Sequence, residues 1–149
     1  MSGENITAGQ GMTVAEVLQK EGRYVGVVSG VSMYPMLRHK KDIVVIEPPH
    51  GRLKKHDVAL YQVGERYVLH RVMKVTSDGY HIRGDNCYRL EKDIAEGQVV
   101  GVLTSFYRGA SKKPVNLNGV GYLLYVWGWR VLYPVRYVLA VVKRKILGK

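Results

Sequence analysis

The chain has one cysteine, Cys87, among 149 residues. That excludes an internal disulfide and any cysteine-built zinc site, so the fold must rest on packing. Its five histidines, His39, His50, His56, His70 and His81, form neither an HExxH motif nor a tight ligand cluster, and neither a metal nor a cofactor is expected. The opening MSGENITAGQG lacks the charged start and apolar core of a secretory signal. No uncharged apolar run reaches the roughly 18–20 residues of a membrane-spanning helix. Internal repeats are missing, and so is the alternation of strands with helices that a doubly wound α/β fold would require. Acidic residues are absent from residues 97–149, which nevertheless hold 9 Lys/Arg.

What is present is enough for a folded domain with an appendage. Hydrophobic residues make up 46% and charged residues 23%, which argues against global disorder. The net charge of +11 is uneven, because residues 1–96 hold 14 Lys/Arg against all 12 Asp/Glu. The basic character therefore lies in the last third, where it can meet an acidic partner or anionic lipid.

Thr13 followed by Glu16 is a capping-box pattern, and Val14, Val17 and Leu18 share a helical face, predicting a helix over about 13–21 that stops at Gly22. Strand-like runs follow at 24–30, 42–48, 57–63, 66–75, 79–84 and 98–108. Val63-Gly64-Glu65-Arg66 and Thr76-Ser77-Asp78-Gly79 read as hairpin turns, and Pro48-Pro49 with Gly51 as a break. The organisation predicted is a polar start and helix over 1–23, a mainly β domain over 24–108, a linker over 109–118 and an aromatic, basic helical segment over 119–149.

Three stretches can carry chemistry. In Gly30-Val31-Ser32-Met33-Tyr34-Pro35 a serine follows a strand ending in glycine; a nearby base would make its hydroxyl a nucleophile, the glycine would let a substrate backbone approach, and the Ser32 N–H could face a developing oxyanion. His70 lies inside a strand, on one face with Val68 and Val72, where a half-buried imidazole suits base catalysis. Gly84-Asp85-Asn86, then Glu91 and Asp93, offer carboxylates to orient an imidazole. Taken singly, each also reads as ordinary structure: a strand-end turn, a core histidine and a hairpin turn.

In combination these stretches resemble the S24/S26 peptidase superfamily, signal peptidase I and its LexA-like relatives. The resemblance rests on GVSMYPML (30–37), DIVVI (42–46), DVALY (57–61), YVLHRVMKV (67–75), HIRGDN (81–86) and GQVVGVLTSF (97–106). It implies a LexA/signal-peptidase-like β domain in which Ser32, with Met33 and Pro35 in its box, is nucleophile and His70 the general base, similar to the archaeal and sporulation-type branch. Lys41-Asp42 and His56-Asp57 stand where the family has Gly-Asp. Asp85 and Glu91 are equal candidates for the acid that orients His70, with Asp93 behind them. Lys54, Lys55 and Lys74 are alternative bases or solvated charges, and Cys87 is a reactive thiol or an inert half-buried one.

The activity implied is serine endopeptidase cleavage of a leader or signal-like peptide bound as an added strand. The alternatives are LexA-like self-cleavage, for which Ala8-Gly9 is a bond of the right type, and a non-catalytic peptide-binding module. In the C-terminal segment, Trp127, Trp129 and four tyrosines with Lys143-Arg144-Lys145 predict peripheral association with an anionic membrane surface, on a chain otherwise cytoplasmic. Packing of that segment on protein is the alternative. Nucleic acid is not expected, because the aromatics sit among aliphatic residues.

Overall fold

The computed structural model describes residues 11–148; the polar start and the Ala8-Gly9 bond lie outside the described residues. The chain divides into two units between Leu117 and Asn118.

The first unit opens with helix α1 (Val14–Glu21). Both halves of its capping box form, Thr13 accepting from the Glu16 N–H and Glu16 from the Thr13 N–H. Gly22, in the left-handed region at φ 69°, ends it. Val14 and Leu18 are the residues it buries.

Then come β1 (Tyr24–Val27), β2 (Ile43–Glu47), β3 (Val58–Val63), β4 (Arg66–Val75), β5 (Gly79–Arg83), β6 (Glu91–Ala95), β7 (Val99–Tyr107) and β8 (Pro114–Asn116). They form one antiparallel sheet in the order β1-β2-β7-β3-β4-β5-β6, with β8 added along β7. The mainly β architecture with a helix at each end is the one expected. Two strands were not. β6 reads Glu-Lys-Asp-Ile-Ala, a charged sequence that suits the sheet's edge rather than its middle. β8 lies inside the segment expected as a linker and pairs Val115 with Phe106.

The sheet curls because it is bulged repeatedly, at Val45/Ile46, Leu60/Tyr61, Val72/Lys74 and Tyr80/Ile82. Curling buries both faces of the long central strand: in β4 the residues from Tyr67 to Val72 are all buried. One core gathers Ala59, Tyr61, Val68, Val72, Tyr80, Ile82 and Ile94.

Between β1 and β2 the chain makes a closed loop over 28–42 that carries Ser32. Its ends are tied by Val28 N–H to the Asp42 carbonyl at 3.0 Å and Lys40 N–H to the Val28 carbonyl at 2.8 Å. Asp42, fully buried, accepts from the Arg38 guanidinium at 2.8 Å, the Arg38 N–H at 2.9 Å and the Gly109 N–H at 3.0 Å. Burial alone would raise its carboxyl pKa; the hydrogen bonds from Arg38 and Gly109 outweigh that and hold it below the usual range. Met33, Met36 and Leu37 plug the loop into the core.

The second unit is a single helix, α2 (Val120–Ile146), 27 residues long with Pro134 inside it. No helix among the described residues is long and apolar enough to cross a membrane.

Asp42→Asn removes the charge while keeping the shape, and is expected to cost about 1–3 kcal/mol of stability at neutral pH, the range for charge-assisted hydrogen bonds. Because the folded pKa is depressed, this contribution is complete above the unfolded carboxyl value and fades as pH falls through the folded one. Urea unfolding of both proteins at pH 7 and pH 3 checks it: the gap should narrow in acid.

Candidate active site

His70 is placed by register. On β4 it pairs with Ala59 of β3, and Tyr61, two residues further along β3, pairs with Val68. His70 and Tyr61 are therefore diagonal neighbours on one sheet face, within reach for an aromatic side chain. The β3–β4 ladder is regular through Tyr61; the register shift against β7 at Leu60/Tyr61 places its extra residue, Val100, on β7. Glu91 opens β6 opposite Ile82, and Ile82 pairs with Val72, so its carboxylate comes back over the same face. Tyr61 Oη lies 3.1 Å from His70 Nδ1 and donates to Glu91 Oε2 at 2.5 Å. The other carboxylate oxygen, Oε1, is 3.8 Å from Nδ1.

Ser32 is brought in from the opposite side by the turn after β5. Asn86 N–H donates to the Ser32 carbonyl at 2.8 Å, and Asn86 Nδ2 to the Val31 carbonyl at 3.1 Å. Asp85 N–H points to Met33 Sδ at 3.5 Å. Gly84 lies at the meeting point: a Cβ built there would stand 2.7 Å from the Ser32 carbonyl oxygen, 2.9 Å from Cys87 Sγ and 3.0 Å from His70 Nε2. Glycine fits here because a methyl group would collide with the Ser32 backbone, the Cys87 sulfur and the His70 ring. Ser32 Oγ and His70 Nε2 are both buried and neither has a hydrogen-bond partner, which is costly unless function demands it.

Asp85 does not face His70 Nδ1. Its carboxylate is taken up by Arg71, with Nε–Oδ1 and Nη2–Oδ2 both at 2.8 Å, a bidentate pair buried on both sides. Arg71 also donates to the His56 carbonyl at 3.0 Å. His56 has φ of 78°, the left-handed region glycine favours, at a position where the resemblance expects glycine. Asp93 is exposed and lies 4.0 Å from His81, away from the site. Lys54, Lys55 and Lys74 are exposed. Gly30, at φ 108°, donates its N–H to His39 Nδ1 at 2.7 Å. Pro35 follows Tyr34 in the turn after Ser32.

Burial pushes the His70 pKa below its ordinary value, against the attraction of Glu91 and the smaller pull of Asp85, which act to raise it. The imidazole is thus neutral at neutral pH, with a lone pair free to take a proton. Tyr61 was not singled out from sequence as a site residue; its only signal was its place on the strand paired with the histidine strand. Among the described residues no group of three metal-ligating side chains occurs. No family model matches the chain, and no curated protein matches it.

An NMR titration of His70 should give a midpoint below the free imidazole value of about 6.5. Glu91→Gln removes an attraction that favours the charged ring, so its midpoint should move lower still. A wild-type midpoint above that of free imidazole would mean that Glu91 outweighs burial.

Proposed function

We propose that this chain is a serine endopeptidase of the signal-peptidase type, acting through Ser32 and His70. One observation carries the reading: Ser32 Oγ and His70 Nε2 are both buried without a hydrogen-bond partner, and the Ser32 backbone and the His70 ring meet at Gly84. In the proposed reaction the Ser32 hydroxyl attacks the scissile carbonyl and its proton passes to His70 Nε2. The imidazolium then returns that proton to the leaving amine, and water hydrolyses the acyl-serine by the same route. No cofactor is called for.

The sheet supports a peptide substrate. β1 is a terminal strand of the sheet order and runs into the Ser32 loop, with Val25 and Val27 exposed along it and Val31 and Tyr34 exposed beside the serine. An extended leader or signal-like peptide added to that edge would bring its backbone to Ser32. A non-catalytic peptide-binding module would use the same edge without needing a buried, unpartnered serine and histidine.

The same proposal attaches the enzyme to an anionic membrane surface through α2, as a peripheral element. Val120, Leu124, Trp127, Val131, Val135, Val138 and Val142 recur at helical spacing and are all exposed, a stripe about 33 Å long at 1.5 Å per residue. The opposite side carries Tyr125 stacked on Trp129, Tyr133 on Tyr137, and Arg136 over the Trp129 ring at 4.1 Å. Lys143, Arg144 and Lys145 lie in the last turn, and no acid in this segment opposes a negative surface.

Incubation with a leader-peptide library, read by mass spectrometry, should give discrete products that disappear in Ser32→Ala and His70→Ala. The rate should rise with pH through one ionisation below that of free imidazole and then level off, since the base works deprotonated. Products that persist in either variant would sink the dyad. Sedimentation with vesicles should show binding to anionic but not zwitterionic lipid, weakened by salt; equal binding to both would argue against the basic residues, and binding to neither would argue for packing on protein.

A further inference from the structure

Between the histidine and the nearest free carboxylate stands a phenol. Tyr61 is wholly buried, and its single proton goes to Glu91 Oε2 at 2.5 Å. The phenol oxygen can then only accept from its other close neighbour, His70 Nδ1, 3.1 Å away. Nδ1 must therefore carry the imidazole proton, which leaves the lone pair on Nε2, the nitrogen on the Gly84 side. Glu91 does not achieve this by contact, since its nearer approach to Nδ1 is 3.8 Å, beyond a hydrogen bond.

We propose that Tyr61 is a positioning residue that couples Glu91 to His70, fixing the tautomer in which Nε2 is the basic nitrogen. The proposal deepens the peptidase reading and rests on it for its effect on turnover, but not for the tautomer. Burial, followed by the hydrogen bond and charge of Glu91, raises the phenol pKa, so Tyr61 stays protonated and passes no proton along. When Nε2 takes the serine proton, Nδ1–H remains in place; the positive ring is then stabilised by the phenol oxygen and, through space, by the Glu91 charge. The other charged group acting on His70, Asp85, is held in its bidentate pair with Arg71, and Cys87, beside Gly84, adds a smaller effect on Tyr61.

The test has two readouts on the full chain. Nitrogen-15 NMR of His70, above its titration midpoint, should show Nδ1 protonated and Nε2 bare in the wild type. Tyr61→Phe removes the acceptor and should give mixed tautomers. Glu91→Gln keeps an acceptor for the phenol proton and should preserve the tautomer. An unchanged tautomer in Tyr61→Phe overturns the proposal, whether or not any peptide is cleaved. In turnover, Tyr61→Phe should lower kcat by about 10²-fold, within the range of a base-catalysis effect, with KM little changed. Glu91→Gln should then cost less in the Tyr61→Phe background than in the wild type, because only the through-space part of the carboxylate's effect is left to lose. Additive losses would overturn the coupling. Should the wild type cleave no peptide, the peptidase reading fails while the NMR comparison still decides the role of Tyr61.

Discussion

The site depends on one buried ion pair. Arg71 follows His70 in β4, and Asp85 stands between Gly84, which lies against His70, and Asn86, which holds the Ser32 loop. Their bidentate contact pins the turn after β5 to the strand that carries His70, and the third arm of Arg71 holds the His56 carbonyl at the entry to β3. Removing one partner of such a pair leaves an uncompensated buried charge, at about 3–5 kcal/mol. The two parallel hydrogen bonds, from Nε and Nη2, also favour one register, because a shift of the turn would strain both together.

With that clamp in place, the three carboxylates offered as partners of His70 divide by surroundings rather than by residue type. Asp85, buried and committed to Arg71, holds the scaffold. Asp93, two residues beyond Glu91, is exposed and turned toward His81. Glu91 lies between these extremes, partly exposed and joined to Tyr61. Of the two carboxylates that favour a positive His70, it has the larger effect. Burial meanwhile keeps the resting imidazole neutral, so desolvation and the nearby charge act on different stages of the proposed reaction: the first favours the base before proton transfer, the second the cation after it.

The two units solve different solvation problems. The β unit buries its apolar residues in a curled sheet, and its charged strand β6 guards an edge. Helix α2 leaves a long apolar stripe in the open, while its aromatic and arginine side chains pair with one another along the opposite face. The stripe, with no acid in its segment, is the feature on which the proposed attachment to an anionic membrane surface rests.

Much of this was legible in the sequence because it is local. The capping box of Thr13 and Glu16, the stop at Gly22, six of the strands and the hairpin turns follow from side-chain chemistry and period within a few residues. The sequence also marked Ser32, His70, Glu91 and Asp85, since a serine, a histidine and carboxylates near turns have recognisable chemistry. It did not mark β6 or β8, whose composition is unlike a strand and whose pairing comes from a distant neighbour. Nor could it say which acid serves which base. That Asp85 turns to Arg71, that Glu91 hydrogen-bonds Tyr61 rather than His70, and that Tyr61 stands beside His70 were decided by how the strands pair. Such contacts join residues as many as 30 positions apart; they exist only once the curled sheet has brought its strands together, because hydrogen bonds depend on distances that no local pattern encodes.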